Sequence, residues 1–306
     1  TKTPSKFWGY SGSADVPNFV TGQSGDFSAK TAWRYTYGSS CADALNFGTL
    51  TSGVAKTHTN SNRSTPTGAS AEMGYTNTLG NAASEVYYEF TLSETSNISI
   101  STDAVETNFD TYLRLYNSTA CGTQIAFSDD GGTGTTSLIT TTLCAGTYVI
   151  LVEGVGTNTG DFTLSVTATN SPLVANTISG ITDATVVCSG TDPGNFDTSI
   201  VSSGGNPTLT YQWESSTTSN SAGFTAIATE TNATYDPTTI TQTTWFRRST
   251  TDACGTTVYS NVIQVVVNTI DNTITQFDGV LTADQTGATY QWYECPNILL
   301  TGENNQ

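Results

Sequence analysis

The sequence predicts an all-β protein made of tandem β-sandwiches. Three features lead there. Short apolar strands recur at a spacing of about ten residues, and turn-forming Gly, Ser and Asn punctuate them. The composition is rich in Thr and aromatic residues and poor in helix formers. The string Thr210-Tyr-Gln-Trp213 returns as Thr289-Tyr-Gln-Trp292, with strand character on both sides, which indicates repeated modules.

Taken in chain order, residues 1–40 carry Trp8, Tyr10, Trp33, Tyr35 and Tyr37 between Gly/Ser-rich turns without clean alternation, and read as an N-terminal extension or the end of a preceding domain. Residues 41–170 form a first sandwich. Its expected strands are 86–92, 98–101, 111–116, 124–127, 137–141, 148–152 and 162–167. Ser171-Pro172 interrupts the pattern, and residues 171–268 form a second sandwich with strands at 208–213, 224–227, 244–248 and a long hairpin partner at 258–267. Residues 269–306 read as the incomplete start of a further repeat, because about forty residues cannot enclose a two-sheet core.

Composition narrows the function classes. The 306 residues hold 9 basic and 26 acidic side chains, a formal net charge of −17, so nucleic acid is excluded as a default partner. The single histidine, His58, rules out a His-rich metal cage, and no Gly-x-Ser-x-Gly elbow supports a nucleophile relay. No apolar run reaches the ~18 residues of a membrane span. Thr1 opens without an initiator Met or signal pattern, which reads as a mature or excised piece of a longer precursor. Cys41, Cys121, Cys144, Cys188, Cys254 and Cys295 include no C-x-x-C pair, so disulfides in an oxidising compartment are expected rather than zinc. Cys121–Cys144 and Cys188–Cys254 each fall inside one sandwich and are the favoured bridges; Cys41 and Cys295 are left over.

Phe109-Asp-Thr-Tyr-Leu-Arg-Leu-Tyr116, Ser128-Asp-Asp-Gly-Gly132, Leu143-Cys-Ala-Gly-Thr-Tyr-Val-Ile-Leu-Val152 and Gly160-Asp-Phe-Thr-Leu164 together resemble the bacterial pre-peptidase C-terminal domain, a jelly-roll accessory module of secreted proteins. The second sandwich, with Thr210–Trp213, Ala233-Thr-Tyr-Asp-Pro237, Thr244-Trp-Phe-Arg-Arg248 and Ser260-Asn-Val262, resembles the Ig-like repeats of large Bacteroidetes surface adhesins. That resemblance implies secretion, often by the type IX system, to the exterior or the cell surface. The jelly-roll class would bring Asp103, Asp110, Asp129 and Asp130 to one edge, where converging carboxylates suit calcium. The competing reading is that these aspartates simply occupy solvated turns.

Trp213 and Trp292 read as core tryptophans, with Tyr211 on the face of Trp213, whereas Trp245 and Arg247 alternate outward. The N-terminal aromatics read as anchors onto a neighbouring sheet ahead of a sugar platform, and His58 as an exposed loop residue. The expected role is non-catalytic: an adhesive or spacer segment of a secreted or cell-surface multidomain adhesin, meeting surface glycans or other extracellular macromolecules and the secretion machinery. An accessory region of a secreted hydrolase is the first alternative. A fibre subunit joined to further copies of itself by strand exchange is the second.

Overall fold

A computed structural model of the chain describes residues 38, 40–63, 79–180 and 186–269, together with 271, 273–283, 286, 287, 289, 291, 293, 294 and 298–301. The expectations for Trp8, Tyr10, Trp33, Tyr35, Tyr37, Trp292 and Cys295 lie outside the described residues. The protein is all-β, a tandem of β-sandwiches, and divides into two compact units, Thr1–Pro172 and Leu173–Gln306.

The first unit runs through β1 (Leu45–Thr49), β2 (Lys56–Ser61), β3 (Val86–Leu92), β4 (Ser96–Ser101), β5 (Thr111–Tyr116), β6 (Gln124–Ser128), β7 (Leu138–Leu143), β8 (Gly146–Gly154) and β9 (Asp161–Asn170). One sheet has the order β1-β3-β8-β5-β6 and the other β2-β9-β4-β7. Alternation builds the core between them. Val86, Tyr88, Phe90 and Leu92 of β3 meet Phe162, Leu164, Val166 and Ala168 of β9, and each large apolar side chain removed from water contributes about 1.5–3 kcal/mol. Phe90, fully buried, stacks on Tyr148 at 5.5 Å, so Phe90→Ala would cost roughly 3–5 kcal/mol.

Strands β1 and β2 have no counterpart in the expected pattern. Leu-Asn-Phe-Gly-Thr alternates only across Leu45 and Phe47, which pack on the core, and Lys-Thr-His-Thr-Asn-Ser has no apolar aliphatic residue to alternate; partners outside the segment hold both. β1 joins β3 in parallel, and β2 pairs with β9 from Lys56↔Val166 to Ser61↔Asp161. His58 therefore stands in a strand, not in an exposed loop. Its Nδ1 lies 3.0 Å from the Tyr88 hydroxyl, which also accepts from Asn60 Nδ2.

The first sheet is covered on its outer face as well. Tyr87, Tyr116, Val149 and Leu151 point away from the main core and form a second cluster, sealed by Leu79, Ala44 and the Cys41–Cys121 disulfide. This corrects the expected pairings. A 3-10 turn at Cys41–Asp43 lays Cys41 over the outer face, where the β5–β6 loop also brings Cys121, so Cys121 is not available to Cys144. Cys188 is a free, exposed thiol, which also removes the expected Cys188–Cys254 bridge. Cys144 and Cys254 are disulfide-bonded, neither to the partner expected of it.

The second unit contains β10 (Thr177–Ser179), β11 (Val186–Cys188), β12 (Asp197–Ile200), β13 (Thr210–Ser216), β14 (Thr225–Ala226), β15 (Thr244–Thr251), β16 (Thr257–Tyr259) and β17 (Ile263–Asn268). The main sheet is ordered β11-β17-β15-β13-β14 with β16 beside β15, and β10 pairs with β12. Ile178, Phe196, Trp213, Phe246, Val265 and Val267 form the core. Trp213 is fully buried and donates from Nε1 to Asn232 O at 2.9 Å, as a core tryptophan must to satisfy its one donor.

The single long strand expected at 258–267 is instead β16 and β17, which pair with opposite ends of β15. Hydrogen bonding explains the break. Ser260 exchanges bonds with the Arg248 backbone, and the Asn261 side chain turns aside to hold both backbone groups of Ile178. Beyond Asn268, β18 (Ile274–Phe277) and β19 (Val280–Ala283) form a hairpin. Its two-residue turn, Asp278-Gly279, has φ of 50° and 81°, the pair of positive angles that a type I′ turn requires. β20 (Tyr293–Glu294) and β21 (Ile298–Leu299) make a further short hairpin.

Candidate functional site

Asp110 stands immediately before β5, and Asp129 and Asp130 immediately follow β6. The antiparallel register Leu113↔Ser128 therefore delivers all three to one end of the sheet. Below them lies a buried knot of hydroxyls. Thr102 Oγ1 and Thr111 Oγ1 are 2.7 Å apart, Ser137 Oγ donates to Thr111 O at 2.7 Å, and Ser137 N donates to Thr102 Oγ1 at 2.9 Å. The loop above folds tightly because it carries Gly131 and Gly132. A Cβ on Gly131 would lie 2.5 Å from Ser128 Oγ and 2.7 Å from Leu138 O, and one on Gly132 would collide with Thr136.

One carboxylate oxygen from each of Asp110, Asp129 and Asp130 lies within 4.8 Å of the others. Two oxygens coordinating one calcium at 2.3–2.6 Å are separated by at most about 5 Å, so the spacing suits a shared hard cation. Asp110 Oδ1 is buried with no hydrogen-bond partner among the described residues. Desolvation first, then the charges of Asp129 and Asp130, hold the Asp110 carboxyl above the usual range. Asp103, the fourth expected member, is not in the cluster. It accepts from Thr133 Oγ1 at 2.8 Å and so ties the acidic loop to the end of β4.

The neighbouring outer face is aromatic. Period two places Tyr112 and Arg114 of β5 beside Ile125 and Phe127 of β6. The Tyr112 and Phe127 rings stack at 6.0 Å with an interplanar angle of 2°, and the Arg114 guanidinium lies over Tyr112 at 4.4 Å. Phe127 is 62% exposed, unusual for a phenylalanine in an ordered strand.

Further along the same face lies a group of buried charges. Glu85 and Glu153 are both fully buried. Arg114 Nε donates to Glu153 Oε1 at 2.7 Å, and Asn81 N donates to Glu153 Oε2 at 2.6 Å. Glu85 accepts from Leu79 N at 2.8 Å and from the Tyr87 hydroxyl. Gly80, at φ 133°, lets the covering segment pass over; a Cβ there would lie 2.5 Å from Glu153 Oε1. Desolvation raises Glu153, and Arg114 only partly opposes it. Burial alone would lower Arg114, but its hydrogen bond and ion pair with Glu153 leave it raised. The sequence does not mark these residues, because Arg114 and Glu153 occupy outward strand positions and Glu85 immediately precedes β3, places where a charge is the default.

In the second unit the outward pair is present as expected. Trp245 is half-buried, and Arg247 lies between the Phe224 and Tyr259 rings at 4.2 and 4.0 Å while bonded to Glu214. Arg248 is buried in the opposite face over Tyr211 and Trp213, at 4.3 and 5.7 Å. It donates to Thr198 Oγ1 and Ala233 O, and burial lowers its pKa.

Residues 84–154 match the family model of the bacterial pre-peptidase C-terminal domain, an accessory module of secreted proteins. Residues 174–269 match a family described as a domain of unknown function (DUF8696). No curated protein matches the sequence. Among solved structures, the pre-peptidase C-terminal domain of collagenase from Bacillus anthracis is 18% identical, over 40% of this chain and 93% of that one, with a TM-score of 0.28. A β-1,2-glucanase from Parabacteroides distasonis is 9% identical over 61% and 31% of the two chains, with a TM-score of 0.21. The Endo-D glycoside hydrolase domain from Streptococcus pneumoniae R6 is 10% identical over 59% and 30%, with a TM-score of 0.19. Among the described residues no helix is long and apolar enough to cross a membrane.

Proposed function

We propose that the chain is a non-catalytic adhesive or spacer segment of a secreted or cell-surface protein, and that calcium bound by Asp110, Asp129 and Asp130 organises the end of its first unit. The observation that carries this reading is the convergence of three carboxylates beside the exposed Tyr112–Phe127 stack. An all-oxygen donor set selects a hard cation, and the crowded carboxylates gain from one. With the loop held, the aromatic face is presented as a rigid surface to extracellular macromolecules. Surface glycans are the proposed partner class, because an exposed ring in a strand loses little conformational freedom when it stacks. The family match over residues 84–154 also supports an accessory region of a secreted hydrolase, which would use the same face to hold the enzyme at its substrate.

The test is adhesion of the full chain to immobilised extracellular glycans and matrix proteins, with and without calcium. The expected result is binding that EDTA reduces and Phe127→Ala abolishes while the fold is retained. Hydrolysis of any of these substrates by the chain, lost on substitution of its carboxylates, would overturn the non-catalytic reading.

A further inference from the structure

We infer that the second unit carries a separate binding site for a neutral saccharide, in the cavity between the Ser216 end of β13, the Thr244 end of β15 and the 235–242 segment. It is a shallow depression, open to solvent over most of its extent, with a volume of about 270 Å³. A groove of this kind suits one or two sugar rings lying against a surface rather than an enclosed ligand.

The lining chemistry names the ligand class. Ile227 and Tyr235 give partly exposed apolar and aromatic contact with the buried Phe246 behind them, and Ser215, Thr239 and Gln242 bring hydroxyls and an amide. No lining residue is charged, so a charged ligand forms no direct ion pair with the lining; the nearest carboxylates felt at Tyr235, those of Glu230 and Asp236, stand outside it and disfavour an anion. Apolar ring faces edged by hydroxyls are what a pyranose presents, and aromatic carbon with neutral donors and acceptors is what receives it. The side chains of Ser215, Tyr235, Thr239 and Gln242 make no hydrogen bond to the protein among the described residues, so their capacity is open to a ligand. Burial first, then Glu230 and Asp236, raise the Tyr235 pKa and keep its phenol a neutral donor.

The cavity is also pre-formed. Tyr235 and Phe196 exchange backbone bonds at 3.1 and 2.7 Å, and Ile240 is held by Thr191 O at 3.2 Å and Gly190 N at 2.8 Å. Between the lining residues Pro237 and Thr239, Thr238 sits at φ 55°, and Thr229, close to Ile227, sits at φ 69°. Left-handed backbone at a β-branched residue is strained and persists where surrounding structure imposes it, most often around ligand sites.

The inference rests on the adhesive reading for its purpose, but the cavity lies wholly in the second unit, so the two fail separately. The experiment is saturation-transfer NMR on the full chain in EDTA, with cellobiose, lactose and chitobiose as probes and glucuronic acid and glucosamine as charged controls. Transfer to at least one neutral disaccharide is expected, with little to the charged sugars. Tyr235→Phe combined with Gln242→Ala should weaken binding about thirtyfold, since two lost hydrogen bonds at ~1 kcal/mol each add to ~2 kcal/mol. Both changes keep the packing, and circular dichroism verifies the fold. Thr239→Trp, which fills the mouth, should abolish transfer. No transfer from any neutral probe at millimolar concentration, or transfer unchanged in the folded double variant, would overturn the site. Calcium binding by Asp110, Asp129 and Asp130 would be unaffected by either outcome.

Discussion

Arg114 in the first unit and Arg248 in the second are both taken largely out of water, and their surroundings treat them oppositely. Arg114 faces a fully buried carboxylate at 2.7 Å and is raised. Arg248, 1% exposed, meets only neutral oxygens and the faces of Tyr211 and Trp213, has an unpartnered Nε among the described residues, and is lowered. Whether a guanidinium is held as an ion pair or as a hydrogen-bonded strut thus depends on the partner the opposite strand supplies. The two cases differ most in what removal of the arginine leaves behind: a buried Glu153 anion in the first, neutral acceptors in the second.

Arg114→Met should have the largest effect, a loss of about 3–5 kcal/mol in urea unfolding, because it strands Glu153 in a dry site. The raised Glu153 pKa gives the pH dependence. Above it the abandoned carboxylate is charged and the loss is full; as pH falls through it, protonated Glu153 needs no counter-ion and the loss shrinks. A variant as stable as the parent at pH 7 would dissolve the contrast. Next comes Cys41→Ser with Cys121→Ser. Opening a bridge between residues separated by 80 positions should cost about 2–4 kcal/mol. Hydrogen exchange should show the loss first at Tyr87, Val149 and Leu151, whose cover the bridge provides.

Arg248→Met should cost only about 1–2 kcal/mol, from lost hydrogen bonds to Thr198 and Ala233, with no pH dependence between about pH 4 and 7. A loss as large as that of Arg114→Met would mean that the strut does an ion pair's work. The smallest effect is expected at the acidic loop. Because Asp110 is raised, its ionisation lowers the stability of the calcium-free fold as pH rises through its pKa. Asp110→Asn should therefore raise the calcium-free melting midpoint by roughly 1–3 °C at pH 7 and leave it unchanged below about pH 3.5.

These contrasts also mark what the sequence could disclose. Strands with a clean apolar face, such as Val86–Leu92 and Phe162–Thr167, were legible because burial on one side writes itself as period two. Trp213 was legible for the same reason. Three of the four aspartates converge because a hairpin register sets them, and the Gly-flanked loop signalled the turn. Lys56–Ser61 was not legible, since cross-strand partners rather than its own composition make it a strand. The outer-face charges were hidden because alternation assigns an outward residue to solvent, and only the covering segment at Leu79–Asn81 reverses that. Cysteine pairing was misread for a related reason: sequence proximity says nothing about which loop crosses the sheet face.

Calorimetric titration of the full chain with calcium at pH 5 and pH 7 tests the central claim most directly. The account predicts one site whose affinity falls, and whose proton release on binding grows, as pH is lowered toward the raised Asp110 pKa, and no heat from an Asp110→Asn, Asp129→Asn variant. Absence of binding at millimolar calcium, or equal binding by that variant, would contradict it.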